Sequence, residues 1–152
     1  MQLKYNGQEQ IQAAPSDVWK VLASPADIIA CLPDVASSKI VDDQHFRVVV
    51  NVSVGAVGGA LDFEVELQPK PALNTMVVKL VGSGLGSSVD LMATAAIIDK
   101  ADGSTTLDWA GVATIFGLLS NVGGRVLDAQ GERIFQSVFS NLRKRVNAAP
   151  KA

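Results

Sequence analysis

The sequence has little that could support metal or thiol chemistry: one cysteine, Cys31, and one histidine, His45, among 152 residues. A single cysteine cannot form an internal disulfide, which is typical of proteins from a reducing compartment. One histidine and one cysteine also fall short of the ligand sets that zinc requires, so we expect no metal site. The chain also has no excess of basic residues. Its net charge of −2 argues against nucleic-acid binding.

Long apolar runs are also absent. No stretch approaches the roughly 18 apolar residues that a membrane-spanning helix needs. Met1 leads directly into a polar alternating segment, without the basic and apolar regions of a secretion signal. We therefore expect a cytoplasmic protein, and a peripheral contact at the inner membrane face stays open. Hydrophobic residues make up 48% of the chain but aromatic ones only 5%, which favours a large aliphatic core or a lined cavity.

Alternation with a period of two dominates most of the chain. Residues 2–13 predict a strand, and proline-led starts at Pro15 and Pro25 predict two short helices after it. From Ser37 to Ile115 the same period predicts an antiparallel meander of about six strands, because no helical crossover interrupts it. Residues 55–59 are expected to link two of these strands as a loose hairpin.

From Gly117 to about Val146 the period changes to that of a long amphipathic helix. Its apolar arc contains Leu127, Ile134, Phe135, Val138, Phe139, Leu142 and Val146. A second apolar set falls roughly opposite this arc, namely Leu118, Leu119, Val122 and Val126. A kink at Gly123-Gly124 would turn this second set inward. Without the kink it would form an exposed patch in which Leu119 could contact a membrane or a partner.

This order of elements indicates an α+β protein with the helix-grip, or START-like, fold. In that arrangement a curved antiparallel sheet of about seven strands surrounds one long C-terminal helix, and two short helices follow the first strand. We expect a single domain over residues 1–147 and a loose tail at 148–152. Sheet and helix of this kind commonly leave a cavity between them.

Four segments carry a resemblance to a known family. They are residues 11–19 followed by Cys31-Leu32-Pro33, residues 52–59, the glycine-rich residues 82–86, and residues 117–125. Together they resemble the family of the carbon monoxide dehydrogenase G subunit, within the START-like (SRPBCC) superfamily. Asp34 departs from the family pattern, which commonly has glycine there. The resemblance implies an accessory protein that assists maturation or membrane attachment of a molybdenum hydroxylase.

The predicted site is an apolar cavity between the sheet and the last helix, of roughly 300–1,000 Å³. The residues expected to line it and bind a ligand are Leu61, Phe63, Val65, Trp109, Ala113, Ile134, Phe135, Val138 and Phe139. The ligand class is lipid-like or quinone-like. The quinone is suggested by the family context alone, since no residue identifies it. No cofactor is expected, and the expected partners are a molybdenum hydroxylase and an anionic membrane surface.

We expect no catalytic residue. Cys31 lies at the C-terminal end of a predicted helix, where the helix dipole does not lower a thiol pKa. His45 lies beside Arg47 on a polar strand face, away from the core. The basic run 143–145 either complements the dipole of the last helix or contacts anionic lipid or a partner.

Two other functions stay open. The first is a START-like enzyme, a cyclase or a hydrolase, which would need a pair of polar side chains facing inward. The alternation of the strands indicates no such pair. The second is an interaction module that has a collapsed core and binds no ligand.

Overall fold

The computed structural model describes residues 1–54 and 57–148. Within these residues the chain forms one strand, two short helices, six further strands and a long helix. The strands are β1 (Gln2–Ile11), β2 (Val35–Asp42), β3 (His45–Val54), β4 (Val57–Lys70), β5 (Thr75–Gly84), β6 (Ser87–Asp99) and β7 (Thr105–Gly117). The helices are α1 (Pro15–Leu22), α2 (Pro25–Cys31) and α3 (Gly124–Ala148), with 3-10 turns at Pro71–Leu73 and Leu118–Asn121.

The seven strands form one antiparallel sheet in the order β1-β7-β6-β5-β4-β3-β2. β1 pairs with the last strand from Gln2 opposite Thr114 to Ile11 opposite Thr105. Because β1 and β2 occupy opposite edges, α1 and α2 carry the chain from one side of the sheet to the other. The predicted helix-grip fold is therefore confirmed.

Two apolar clusters hold α3 on the sheet. The larger one joins α1, α2 and the second half of α3 to the inner face of the sheet, with Val18, Phe46, Leu107 and Leu142 among its most buried members. The smaller one contains Leu61, Ile115, Leu119 and Leu127. Phe63 packs against both clusters, which places it between the two halves of the core.

The start of α3 differs from the sequence-based expectation. The prediction of a helix from Gly117 is wrong, because α3 begins at Gly124 and is preceded by a 3-10 turn. The backbone φ angles of Gly117 (+89°) and Gly123 (+111°) are outside the helical region and interrupt any continuous helix. The orientation of residues 118–126 therefore follows from two separate turns, so no single helical wheel describes it.

The apolar set at 118–126 is divided between core and surface. Leu119 is only 3% exposed and belongs to the smaller cluster, against which Val122 also packs. Leu118 is 60% exposed and Val126 is 44% exposed. The expectation that Leu119 could be part of an exposed docking patch is therefore wrong, whereas its neighbour Leu118 lies on the surface.

Two arginines in the second half of α3 donate side-chain hydrogen bonds to the rest of the fold. Arg143 donates to Glu9 (2.7 Å) and to the carbonyl of Gln10 (3.1 Å) in β1. Arg145 donates to Asp27 of α2 at 2.6 Å. Two of the three basic residues in the run 143–145 thus pair with acids of the same chain. This leaves less positive charge for an anionic surface than the sequence suggests.

Part of the predicted organisation lies outside the described residues. This applies to Gly55 and Ala56 of the predicted hairpin and to residues 149–152 of the predicted tail. The domain limits accordingly stay a prediction. Among the described residues, no helix combines the length and the apolar character that crossing a membrane requires.

Candidate ligand-binding cavity

A cavity of about 300 Å³ lies between the inner face of the sheet and α3. The structure places all nine predicted site residues on its wall: Leu61, Phe63, Val65, Trp109, Ala113, Ile134, Phe135, Val138 and Phe139. Ile134 lies at the edge of the helical arc and is 38% exposed, so it borders the cavity instead of closing it. That these residues hold a ligand stays a prediction.

Sequence reasoning missed much of the wall. β1, β3, β5 and β6 contribute further apolar side chains, among them Tyr5, Phe46, Val78 and Leu91. The alternation in these strands is the signal that predicts them, because each lies on the same face as the core residues of its strand. The cavity therefore extends across the sheet instead of being confined to β4 and β7.

Aromatic rings form one part of the wall. Trp109 stacks on Phe135, with ring centroids 4.6 Å apart, and lies 4.9 Å from Phe139. The ring of Tyr5 is tilted against that of Phe135, with centroids 5.2 Å apart. A Cβ atom at Gly111 would lie 2.9 Å from Cζ of Phe135, so glycine leaves room for the tip of that ring against β7. The remaining wall is mainly aliphatic and includes the smaller cluster around Leu61.

The two polar groups on these rings, the Tyr5 hydroxyl and the Trp109 indole N–H, point to protein atoms and not into the cavity. The Tyr5 hydroxyl donates to the carbonyl of Leu127 (3.4 Å), and Trp109 Nε1 points to Glu9 at 3.5 Å. Burial, with smaller contributions from Asp128 and Glu132, raises the pKa of Tyr5 to about 12. Tyr5 is therefore a neutral phenol at physiological pH, and the aromatic wall offers a ligand mostly apolar contacts.

The Glu9–Arg143 pair is a feature that sequence reasoning missed. Glu9 shares the inward face of β1 with Tyr5 and Ile11, and this position is the signal that could have revealed it. An inward carboxylate is costly unless a cation accompanies it. Arg143 supplies that cation from α3, so the pair fastens the helix to the sheet edge beside Trp109.

The mouth of the cavity lies between α3 and the corner that joins α2 to β2. Helical spacing puts Gln130, Ile134 and Asn141 on one edge of α3. The Asn141 amide donates to the carbonyl of Cys31 at 3.0 Å, which closes this edge against the end of α2. Toward the start of α3, Gln130 and Ile134 line the cavity, as does Asp34 in the corner. Asp34, Asn51 and Ile134 line the cavity and are also exposed, so we infer that the cavity opens where these residues lie.

The two residues with candidate chemistry do not gather at the cavity. Cys31 is buried in the core, and burial raises the pKa of its thiol to about 11, which keeps it protonated and unreactive. His45 lies on the outer face of β3, where Nδ1 is 2.8 Å from Asp42 and Nε2 is 3.1 Å from Glu66. In the described part of the chain, no three His, Cys, Asp or Glu side chains are grouped as a metal would need.

The titration of His45 gives a direct check of this geometry. Hydrogen bonds to Asp42 and then to Glu66 raise its pKa above the ordinary value of 6.5. The stabilisation from this pairing is therefore present below about pH 6.5 and is lost as the pH rises through the raised pKa. Because His45 is the only histidine, a proton NMR titration reports it without ambiguity. We expect Glu66→Gln to lower the midpoint, whereas an unchanged midpoint would contradict the pairing.

Comparison with solved structures identifies the fold. A conserved protein from Geobacillus kaustophilus has a TM-score of 0.85 and 19% identity, with 95% of each chain covered. A START superfamily protein from Mycobacterium smegmatis has a TM-score of 0.74 and 14% identity over 95% of this chain and 97% of that one. The Zhui aromatase/cyclase from Streptomyces sp. R1128 has a TM-score of 0.71 and 13% identity, over 97% and 94% respectively. At such identities the likeness shows a START-like fold alone.

Sequence comparison identifies the family. No protein with a curated description matches the chain at a significant level. The sequence profile of CoxG, the G subunit of carbon monoxide dehydrogenase, matches residues 7–147, which is nearly the whole chain. The match contains the segments at 11–19, 52–59, 82–86 and 117–125 on which the resemblance depends. The chain therefore belongs to the CoxG family, that of the carbon monoxide dehydrogenase G subunit.

Proposed function

We propose that this protein is a non-enzymatic carrier that holds one apolar small molecule in the cavity between sheet and α3. The observation that carries the proposal is a space of about 300 Å³ with an almost wholly apolar wall. Water in such a space would find few hydrogen-bond partners on the wall. A bound apolar molecule would replace that water with apolar contacts, which is favourable.

One part of the cavity wall is aromatic and another part is aliphatic, which favours a ligand with a ring and an aliphatic chain. The rings of Tyr5, Trp109, Phe135 and Phe139 form an aromatic part of the wall against which a ligand ring can pack. The smaller cluster, with Leu61, Ile115 and Leu127, offers branched aliphatic contacts. Both features fit a lipid-like or quinone-like molecule, which is the ligand class that we propose.

Family membership supports a further role in an enzyme system. We infer that the protein assists the maturation or membrane recruitment of a molybdenum hydroxylase of the carbon monoxide dehydrogenase type. It would act in the cytoplasm and contact the inner membrane face peripherally. The exposed side chains of Leu118 and Phe116, at the junction of β7 and the following turn, supply an apolar contact for that purpose.

An enzymatic function is the second candidate, because the similar structures include an aromatase/cyclase. Acid–base catalysis in the cavity would need a titratable group with a pKa near the working pH. Tyr5 has a pKa of about 12, and its hydroxyl is already directed to Leu127. The geometry therefore favours binding over catalysis.

Native mass spectrometry of gently purified protein tests the proposal. We expect a fraction of the protein to carry one small molecule, and the emptied protein to bind one N-phenyl-1-naphthylamine, an apolar dye that fluoresces in apolar surroundings. We expect both results because the wall of the cavity is apolar and partly aromatic. A protein with no adduct and no dye binding would have a core that collapses in solution, and the carrier function would be wrong.

A further inference from the structure

The inner wall of the cavity cannot satisfy a polar group on a ligand. The Tyr5 hydroxyl is directed to the carbonyl of Leu127, and the Trp109 indole N–H is directed to Glu9. A hydroxyl or an amine that entered this part of the cavity would lose its hydrogen bonds to water and find few replacements. A ligand with one polar end therefore has to place that end at the mouth.

The mouth has three polar side chains that can receive it. Asp34 and Asn51 line the cavity from the corner where α2, β2 and β3 meet, and Gln130 lines it from α3. Within residues 1–54 and 57–148, none of these three side chains takes part in a hydrogen bond within the protein. All three are thus available to a molecule in the cavity, and among them Asp34 is the one that carries a charge.

The backbone holds Asp34 in an unusual conformation at this place. Its φ angle is +59°, in the left-handed region where glycine is the least strained residue. The carbonyl of Asp34 accepts a hydrogen bond from the backbone N–H of Asn51 at 2.9 Å, which fixes the corner against β3. The main chain of the corner therefore has a defined position on the rim, with Asp34 at a place where glycine would be the least strained residue.

We propose that Asp34 determines which polar head group the cavity accepts. The carboxylate accepts a hydrogen bond from the hydroxyl or ammonium head of an amphiphile whose apolar part fills the cavity. A carboxylate has only acceptor atoms and a negative charge, so it disfavours anionic heads such as that of a fatty acid. This inference rests on the proposed carrier function and narrows its ligand class to amphiphiles whose head has a hydrogen-bond donor. A quinone head lacks such a donor, because its carbonyl oxygens only accept hydrogen bonds.

Displacement of N-phenyl-1-naphthylamine by 1-decanol, decylamine and decanoate tests the proposal, because these competitors share one chain length and differ only in the head. At pH 7.5 we expect decanoate to displace the dye about tenfold more weakly than decanol or decylamine, a difference that one nearby like charge can produce. Asp34→Asn should strengthen displacement by decanoate to within about threefold of decanol. Asparagine tolerates the left-handed conformation, so the corner should stay folded.

Asp43→Asn is the matched control, because Asp43 is an exposed aspartate in the turn between β2 and β3 and does not line the cavity. This variant should keep the wild-type preference. If the dye binds but the three heads compete equally, or if Asp34→Asn leaves the preference unchanged, head selection by Asp34 is wrong while the carrier function stands. If the dye does not bind the wild-type protein at all, the carrier function itself fails, and head selection fails with it.

Discussion

Replacing Ala113 with phenylalanine is expected to abolish ligand binding without unfolding the domain. Ala113 lies on the inner face of β7, is only 7% exposed and lines the cavity. A phenyl ring at this position would occupy space that the ligand otherwise fills. Because the ring enters an existing cavity, it should avoid the 1–3 kcal/mol that overpacking of a filled core typically costs. We expect at least about a tenfold loss of dye affinity and a melting temperature close to that of the wild type.

Ala110 provides the matched control for this experiment. It is three residues from Ala113 on the same strand, but it lies on the opposite, exposed face of β7. Ala110→Phe should leave the dye affinity unchanged. If Ala113→Phe destabilises the protein by about 1–3 kcal/mol, and if the wild-type protein also fails to bind the dye, the space is closed in solution. The protein would then be an interaction module and not a carrier.

The alternation of side chains was sufficient to predict the fold and one wall of the cavity. Trp109 and Ala113 are an even number of residues apart on β7, so a two-residue period places them on one face with Leu107. The 3.6-residue period places Phe135 and Phe139 together on α3 in the same way. Such periods decide which face of an element a residue lies on. The antiparallel meander then decides which faces meet.

The mouth and the partners that fasten α3 could not be predicted in this way, although the alternation does place Glu9 on the inner face of β1. Asn141 reaches the carbonyl of Cys31 across 110 positions of the chain, and Arg143 reaches Glu9 across 134. A periodic pattern carries no information about which edge of a helix meets which corner of a sheet. The position of Asp34 at the rim depends on that meeting.

Residues 118–126 show a different limit of pattern reasoning. A helical wheel assumes one regular backbone, and here the backbone changes from strand to 3-10 turn to helix within eight residues. Positive φ angles at Gly117 and Gly123 separate the three parts. Only the structure shows that Leu119 is buried while its neighbour Leu118 is exposed. A substitution that tests membrane recruitment should therefore be made at Leu118 and not at Leu119.

Leu119→Glu is expected to unfold the domain, or to destabilise it by about 3–5 kcal/mol. Removal of a buried leucine typically costs about 2–5 kcal/mol, and an unpaired carboxylate in the same place adds a desolvation cost. Leu119 packs with Leu61, Ile115 and Leu127. Urea unfolding followed by circular dichroism measures the effect. If Leu119→Glu unfolds at the same urea concentration as the wild type, the 3-10 turn can release this side chain to solvent.

Leu118→Glu, one residue earlier, separates membrane recruitment from folding. Leu118 is 60% exposed, so the substitution should change stability by no more than about 0.5 kcal/mol. If the exposed end of β7 touches the membrane, this variant should lose most of its co-sedimentation with anionic vesicles, because a charge replaces an inserted apolar side chain. Added salt should weaken the wild-type association only slightly, since Arg143 and Arg145 already pair with Glu9 and Asp27. Equal vesicle binding by wild type and Leu118→Glu would show that recruitment uses another surface, and a steep salt dependence would show that its energy comes from charge.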